Sequence, residues 1–522
     1  MPQLPLTFEE IEAEVQQFEA AERKRLGLEP TPVPQWRDRN PQQFERHQRR
    51  ETTILVGGLT IAQDALLQAA LEAIGYRIEV LPCPDTAALH YGKEFGNRGQ
   101  CNPTYFTVGN LLKRLIHLRD ADGISATEIA QRYVFLTAGA CGPCRFGTYA
   151  TEYRKALRDG GFDGFRVLLF QQQGGFQQAT GPTAGLEMNP RFFVQVVKAL
   201  VAGDVLNALS YRIRPYEVRP GATDEAIEFS KKILCEAFLA GRSIIKALRR
   251  CRHQFESVQV DWLQAKPKVM IIGEFWAMTT EGDGNHHLQR FLEAQGAEVE
   301  IQLVTSWLLY LIWQNQRDTR RRLDLRQEDA VGKGLAGRNG IRLLRQLWIA
   351  ERLLRLMFRI FAGAIGLQRY HLPDMEELAT VAQPFYDVEL RGGEGHMEVG
   401  KLIQAVTQHK AHMVLSVKPF GCMPSSGVSD GIQSAVLHRY PQAVFCPVET
   451  SGDGEVSFQS RVLMYLFKAR RKAKEEFEAA LRRRRLGLDD APRRMKRLQK
   501  RATYYPVHVV AGSAANRVCA LR

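Results

Sequence analysis

Short apolar runs alternate with longer segments of helical period along most of the chain. The runs "TTILVGG", "YRIEVLP", "YVFLTAG" and "FRVLLFQ" have strand length, with helices expected at 62–74 and 148–160 between them. A second series opens at "KPKVMIIGEF" and continues through "AEVEIQLV", "HMVLSV" and "AVFCPVE", with helices expected at 285–295, 398–409, 428–439 and 456–475. Strands that alternate with helices of ten or more residues predict βαβ units and a parallel sheet. The two series follow one plan. The expectation is therefore an α/β protein with two tandem parallel-sheet domains, a helical bridge, a helical insertion and a basic C-terminal helix.

The domain reading is a helix and Pro/Arg/Gln-rich linker over 1–48, a first domain over 49–215, a helical bridge over 216–262, a second domain over 263–480 and a basic tail over 481–522. Residues 315–370 interrupt the second domain with an Arg-rich stretch in which Leu343, Leu347, Leu353, Leu354 and Phe358 recur at roughly helical spacing. That pattern reads as a helical lid over the domain, or as a partner-binding helix pair.

A net charge of +14 suggests nucleic acid until it is located. Residues 461–501 hold 16 Lys/Arg against 5 Asp/Glu, so most of the excess belongs to one segment. That segment reads as a solvated helix, and nucleic acid is not expected as a partner. "LLRLMFRIFAGAIGL" is broken by Arg355 and Arg359 and falls short of the roughly 20 apolar residues a membrane span requires. No membrane association is expected. The first 25 residues lack the layout of a secretion signal, and nine cysteines make an odd disulfide set. The expected compartment is a reducing cytoplasm, with thiols free or bound to metal.

The cysteines carry the chemistry. Cys141 and Cys144 sit in "TAGACGPCRFGTY", after one strand and before a helix; Cys422 sits in "KPFGCMPSSG", again between strand and helix; Cys101 opens the helix "TVGNLLKRLI". Helix N-termini favour the thiolate form, and thiolates in such loops suit an iron–sulfur cluster. If the two domains face each other, loops at the carboxyl ends of their strands converge on the cleft. Two other readings stay open: a thioredoxin-like redox pair of Cys141 and Cys144, and unrelated buried thiols. Cys83 and Cys446 read as further ligands or as small buried residues, and Cys235, Cys251 and Cys519 as structural. In "EGDGNHHL", Glu281, Asp283, His286 and His287 read as solvated helix-start residues. "LRGGEGHMEVGK" resembles a phosphate loop only loosely and lacks the required spacing, so no unaided ATP hydrolysis is expected.

The segments "GQCNPTYFTVGNL", "TAGACGPCRFGTYATEYRKALRDGGFDGFRVLLFQ" and "KPFGCMPSSGVSDGIQSA" resemble the 2-hydroxyglutaryl-CoA dehydratase component D-like proteins. Within that group they are most similar to the proteins associated with CoA-substrate-specific enzyme activases, in the double-cubane cluster superfamily. The resemblance covers most of residues 50–470. It implies tandem Rossmann-like domains that hold a [4Fe-4S] or double-cubane [8Fe-9S] cluster in their cleft, with Cys101, Cys141, Cys144 and Cys422 at the matching positions. It also implies a partner, an ATP-dependent activase of actin/Hsp70-like fold with its own cluster, which delivers a low-potential electron. The recipient is then a reductase or dehydratase component acting on an acyl-CoA or other small molecule, as a homo- or heterodimer. The Arg-rich insertion and the basic tail depart from the compact dehydratase subunit.

Overall fold

A computed structural model describes residues 8–27, 44–139, 144–171, 185–324, 335, 338–390, 394–487, 493 and 501–521. The chain divides into two units, residues 1–39 and 40–522. The first contributes one described helix, α1 (Phe8–Arg25).

The second unit contains two four-stranded parallel sheets. β1 (Thr53–Val56), β2 (Arg77–Val80), β3 (Tyr133–Gly139) and β4 (Arg166–Gln171) are ordered β2-β1-β3-β4. β5 (Lys268–Gly273), β6 (Glu298–Ile301), β7 (Met413–Pro419) and β8 (Phe445–Thr450) repeat that order as β6-β5-β7-β8. The central strand pairs both neighbours in each sheet, with Thr53 opposite Arg77 and Tyr133, and Val269 opposite Val299 and Met413. The structure is thus mixed α/β with two Rossmann-like domains, as the alternation of apolar runs predicts.

Parallel strands need crossovers, and helices supply them. In the first half these are α2 (Ile61–Glu72), α3 (Thr86–Phe95), α4 (Asn102–Asp120), α5 (Ala126–Arg132) and α6 (Tyr149–Asp159). The bridge is α7 (Pro190–Ile213), α8 (Ala222–Leu239) and α9 (Ile244–Glu256). The second half carries α10 (Phe275–Thr279), α11 (Leu288–Ala294), α12 (Val304–Arg321), α13 (Gly340–Ile365), α14 (Met375–Ala382), α15 (His396–Thr407), α16 (Met423–Ser426), α17 (Gln433–Arg439) and α18 (Glu455–Arg483). A last helix, α19 (Ser513–Cys519), packs back onto α18.

Every residue of β5 is buried, because helices cover both faces of the sheet. Val269 and Ile271 pack with Val462 and Leu466 of α18, while Met270 and Ile272 join α7, α13 and α15 on the other side. That second cluster also takes in Leu66 and Ala70 of α2, so the two halves share one core through α2 and the bridge. Each fully buried side chain of this size contributes about 1.5–3 kcal/mol. The stretch Pro190–Tyr216, α7 and the turn after it, has the length and hydropathy of a membrane span, but 61% of its apolar window is buried inside the protein. It is a core helix.

The residues after the basic segment 461–501 are packed against the second half. Arg517 is fully buried, its guanidinium 3.4 Å from the Trp262 ring centroid, and it donates to the carbonyls of Ser513 and Tyr504. Basic residues of α18 such as Arg461, Lys468 and Arg471 remain exposed.

Candidate functional site

In each sheet the strand order reverses between its two middle strands, and ligands bind outside the carboxyl ends of strands at such points. In the first half, Cys144 follows β3 and is the N-cap of the turn Arg145–Thr148 that leads into α6. In the second half, Cys422 follows β7 as the N-cap of α16, and Glu274 follows β5 as the N-cap of α10. Gly273 makes the β5 end possible. Its φ is +124°, and any side chain there would strike the carbonyl of Val417 on β7.

Cys101 reaches the same place from the β2–β3 connection, as the N-cap of α4. Its backbone neighbour joins the halves: Asn102 N–H donates to the Phe420 carbonyl at 2.9 Å. Gly421, with φ +77°, lies so close that an added Cβ would be 3.1 Å from the Cys101 Cα. The loops of Cys101 and Cys422 are therefore in contact. Glu152 of α6 orders the Cys101 loop by accepting from Asn97 N–H (3.1 Å), Asn97 Nδ2 (2.8 Å) and Gln100 Nε2 (3.0 Å). Arg145, next to Cys144, donates to the Gly99 carbonyl. Cys141 lies outside the described residues.

Cys101 and Cys422 are each 6% exposed. The Cys101 Sγ is 3.2 Å from Thr104 Oγ1 and 3.1 Å from the Tyr149 hydroxyl, so it can accept two hydrogen bonds as a thiolate. The helix N-termini do not set its charge. Burial pushes all three thiols up, Cys144 to about 12, with the carboxylate of Glu274 adding to the rise. The backbone N–H groups of Thr104, Phe146 and Ser425 act in the opposite direction and are outweighed. The N–H groups thus favour the thiolate as expected, but burial decides the outcome. At neutral pH these groups are thiols, and a metal cation would have to displace their protons.

Two carboxyl groups complete the surroundings. Glu274 accepts from Ala277 N–H at 2.7 Å, and burial raises its pKa. Glu394, at the start of α15, is raised well above the usual range by burial and then by Glu274 and Glu398. Glu398 itself accepts from Ser416 Oγ at 2.7 Å and Gln433 Nε2 at 3.1 Å. Sequence reasoning missed both Glu274 and Glu394. The available signals were a charged residue directly after the apolar run "KVMIIG" and the "GGEGH" loop set aside as a failed phosphate loop.

The donor set suits an iron–sulfur cluster in type. Three soft thiols from the two halves lie along one seam, and among the described residues the buried atoms Gln100 Oε1 and Asn102 Nδ2, on either side of Cys101, have no partner. Among the described residues no three Cys, His, Asp or Glu side chains approach closely enough to hold one metal ion. A single ion needs its thiolates within about 2.3 Å of one point. In an iron–sulfur cluster the thiolates bind several irons instead of one.

The other cysteines lie elsewhere. Cys446 is fully buried in the second sheet's core, and Cys251 in the bridge. Cys235 faces the Ala65 carbonyl at 3.6 Å, and Cys519 packs near the C-terminus. Cys83 meets Thr280 Oγ1 at 3.7 Å across the seam. The loop after Thr280 is a clasp. Glu281 accepts from Ile61 N–H (2.7 Å) at the start of α2, and Asp283 from Thr86 N–H and Oγ1 (both 2.7 Å) at the start of α3. His287 is exposed, as expected for a helix start, and lies 3.0 Å from Asp283. His286 is instead buried against Phe458.

The chain matches no protein-family model and no curated protein.

Proposed function

We propose that the protein is the iron–sulfur electron-accepting component of an ATP-driven reductase or dehydratase, similar to the 2-hydroxyglutaryl-CoA dehydratase component D-like proteins. One observation carries this reading: loops bearing Cys101, Cys144 and Cys422, from two halves of identical strand order, meet at the seam between them. Cys101, Cys144, Cys422 and, by resemblance, Cys141 would hold a [4Fe-4S] or double-cubane cluster. When bound, such a group supplies one-electron transfer at low potential.

The residues around it have defined tasks. The hydroxyls of Thr104 and Tyr149 would hold the Cys101 sulfur in place. Burial raises the pKa of Glu274 and Glu394, which favours the neutral carboxyl and limits the negative charge they bring to the seam. An acyl-CoA or another small molecule is the substrate class, a separate ATP-dependent activase is the electron donor, and a reducing cytoplasm is the compartment in which such thiols persist. The reading as a thiol–disulfide reductase would use Cys141, the first cysteine of the pair, as the attacking thiolate, and that residue lies outside the described residues.

Protein purified without oxygen should be brown, with iron and acid-labile sulfide in similar amounts. Cys422→Ser should remove most of both, and Cys446→Ser should remove neither. Colourless protein without iron after reconstitution, or equal iron in Cys422→Ser, refutes the proposal.

A further inference from the structure

The helix α13 is anchored on one side only. Leu354, Phe358, Phe361 and Ile365 enter the core shared with α7 and α9. On the other side Ile341, Trp348, Ile349, Leu353, Leu356 and Ile360 are 42–65% exposed. Arg345, Arg352 and Arg359 recur on this face at seven-residue spacing, and all three are exposed. Among the described residues no carboxylate pairs with them. Glu351, the one acidic residue of α13, is engaged by Arg355 at 2.9 Å.

We infer that this face is the docking surface for an acidic amphipathic helix of a partner protein. A row repeating every seven residues stays aligned with a second helix that winds around the first. Ile349 and Leu356 run beside the arginine row, also seven apart, and Leu353 and Ile360 flank them. A partner helix with apolar residues on its seam and Asp or Glu at matching intervals would cover the apolar rows and neutralise the arginines. Charge complementarity therefore specifies the occupant. At roughly 100° per residue, the arginines fall within the arc of the apolar side chains, not along its margins. A flat membrane would have to bury those guanidinium groups, which is costly. Arg352 already stacks over the Trp348 ring, 5.3 Å from its centroid. The inference does not depend on the metal content of the cysteine seam.

The test uses the full chain and a synthetic three-heptad helical peptide with leucine on its seam and glutamate every seventh residue. Fluorescence anisotropy should show one-to-one binding that weakens with salt. The triple variant Arg345→Glu, Arg352→Glu, Arg359→Glu should bind at least about tenfold more weakly. It should also gain affinity for the same peptide carrying lysine in place of glutamate, which shows that the variant is folded. Absence of wild-type binding, or unchanged binding by the triple variant, overturns the inference. So does sedimentation of the wild type, but not the triple variant, with vesicles of phosphatidylglycerol and phosphatidylcholine in the absence of peptide binding.

Discussion

The two halves of the main unit have the same strand order and place different chemistry on it. After the third strand, each offers a helix-capping cysteine, Cys144 in the first half and Cys422 in the second. Between the second and third strands, the first half contributes Cys101, while the second contributes Glu394. After the first strand, the first half has the loop Gly57–Thr60, and the second has Glu274. In these three connections the thiols are thus weighted to the first half, while Glu274 and Glu394 come from the second. A repeated sheet sets where groups can converge, and the connections decide which groups arrive.

Those connections also differ in construction. Residues 81–132 hold α3, α4 and α5 in tight packing, whereas residues 302–412 hold α12 to α15, with α13 presenting an uncovered face. In the first half, Gly92 and Gly109 let α3 and α4 touch backbone to backbone: a methyl at Gly109 would overlap the Ala88 carbonyl.

Acid should separate the halves most strongly. His396 stands against Trp313, with ring centroids 4.5 Å apart, and burial pulls its pKa down to about 4. The carbonyl of Met375 opposes that shift, and the charge of Arg317 adds to it. The unfolded chain, with an ordinary histidine pKa near 6.5, binds the proton more tightly than the folded one. The stabilising contribution of neutral His396 is therefore present above about pH 6.5 and is lost as pH falls toward 4, by up to about 3 kcal/mol. Five of the six tryptophans lie between residues 262 and 348 and none lies within 44–261, so in a Trp36→Phe background tryptophan fluorescence follows the bridge end and the second half. The urea stability of the wild type relative to His396→Gln, read this way, should fall between pH 6.5 and 4. Equal slopes would show that the second half has no such dependence on His396.

Helix packing should sharpen the contrast next. Gly109→Ala forces α3 and α4 apart and should cost about 2 kcal/mol or more in denaturant unfolding. Gly363→Ala, in α13 where an added Cβ meets nothing within 4 Å, should be neutral or stabilise by about 0.5–1 kcal/mol. A reversed order of these two variants would show that the α3–α4 contact is not close.

The smallest effect concerns the clasp between the halves. Asp283→Ala removes the acceptor for Thr86 N–H and Oγ1 at the start of α3 and should cost about 1 kcal/mol. The hydrogen bonds from Thr86 and the nearby His287 hold the Asp283 pKa below the usual carboxylate value even though burial raises it. Its contribution is present above the ordinary aspartate pKa and is lost as pH falls through the lower folded value. Hydrogen exchange at the first turn of α3 should rise in the variant. Unchanged exchange there would remove the clasp from the account.

Local pattern alone determined the class and the order of elements. Short β-branched apolar runs such as "KVMIIG" read as strands covered on both faces, and helical-period segments between them as crossovers from one parallel strand to the next. The positions of Cys101, Cys144 and Cys422 at helix starts were equally legible, because glycine and proline mark the loops around them. Three things were settled only by tertiary structure. The contact of the Phe420–Cys422 loop with Cys101 depends on chain separated by more than 300 residues, and no local pattern encodes it. The protonation of those thiols depends on burial beside Glu274 and Glu394, whose depth comes from packing. The fate of the basic residues depends on what folds over them: Arg517 disappears beneath Trp262 and Tyr505, while Arg345, Arg352 and Arg359 of α13 stay in solvent, because charge in a sequence does not say which side chains the core will cover.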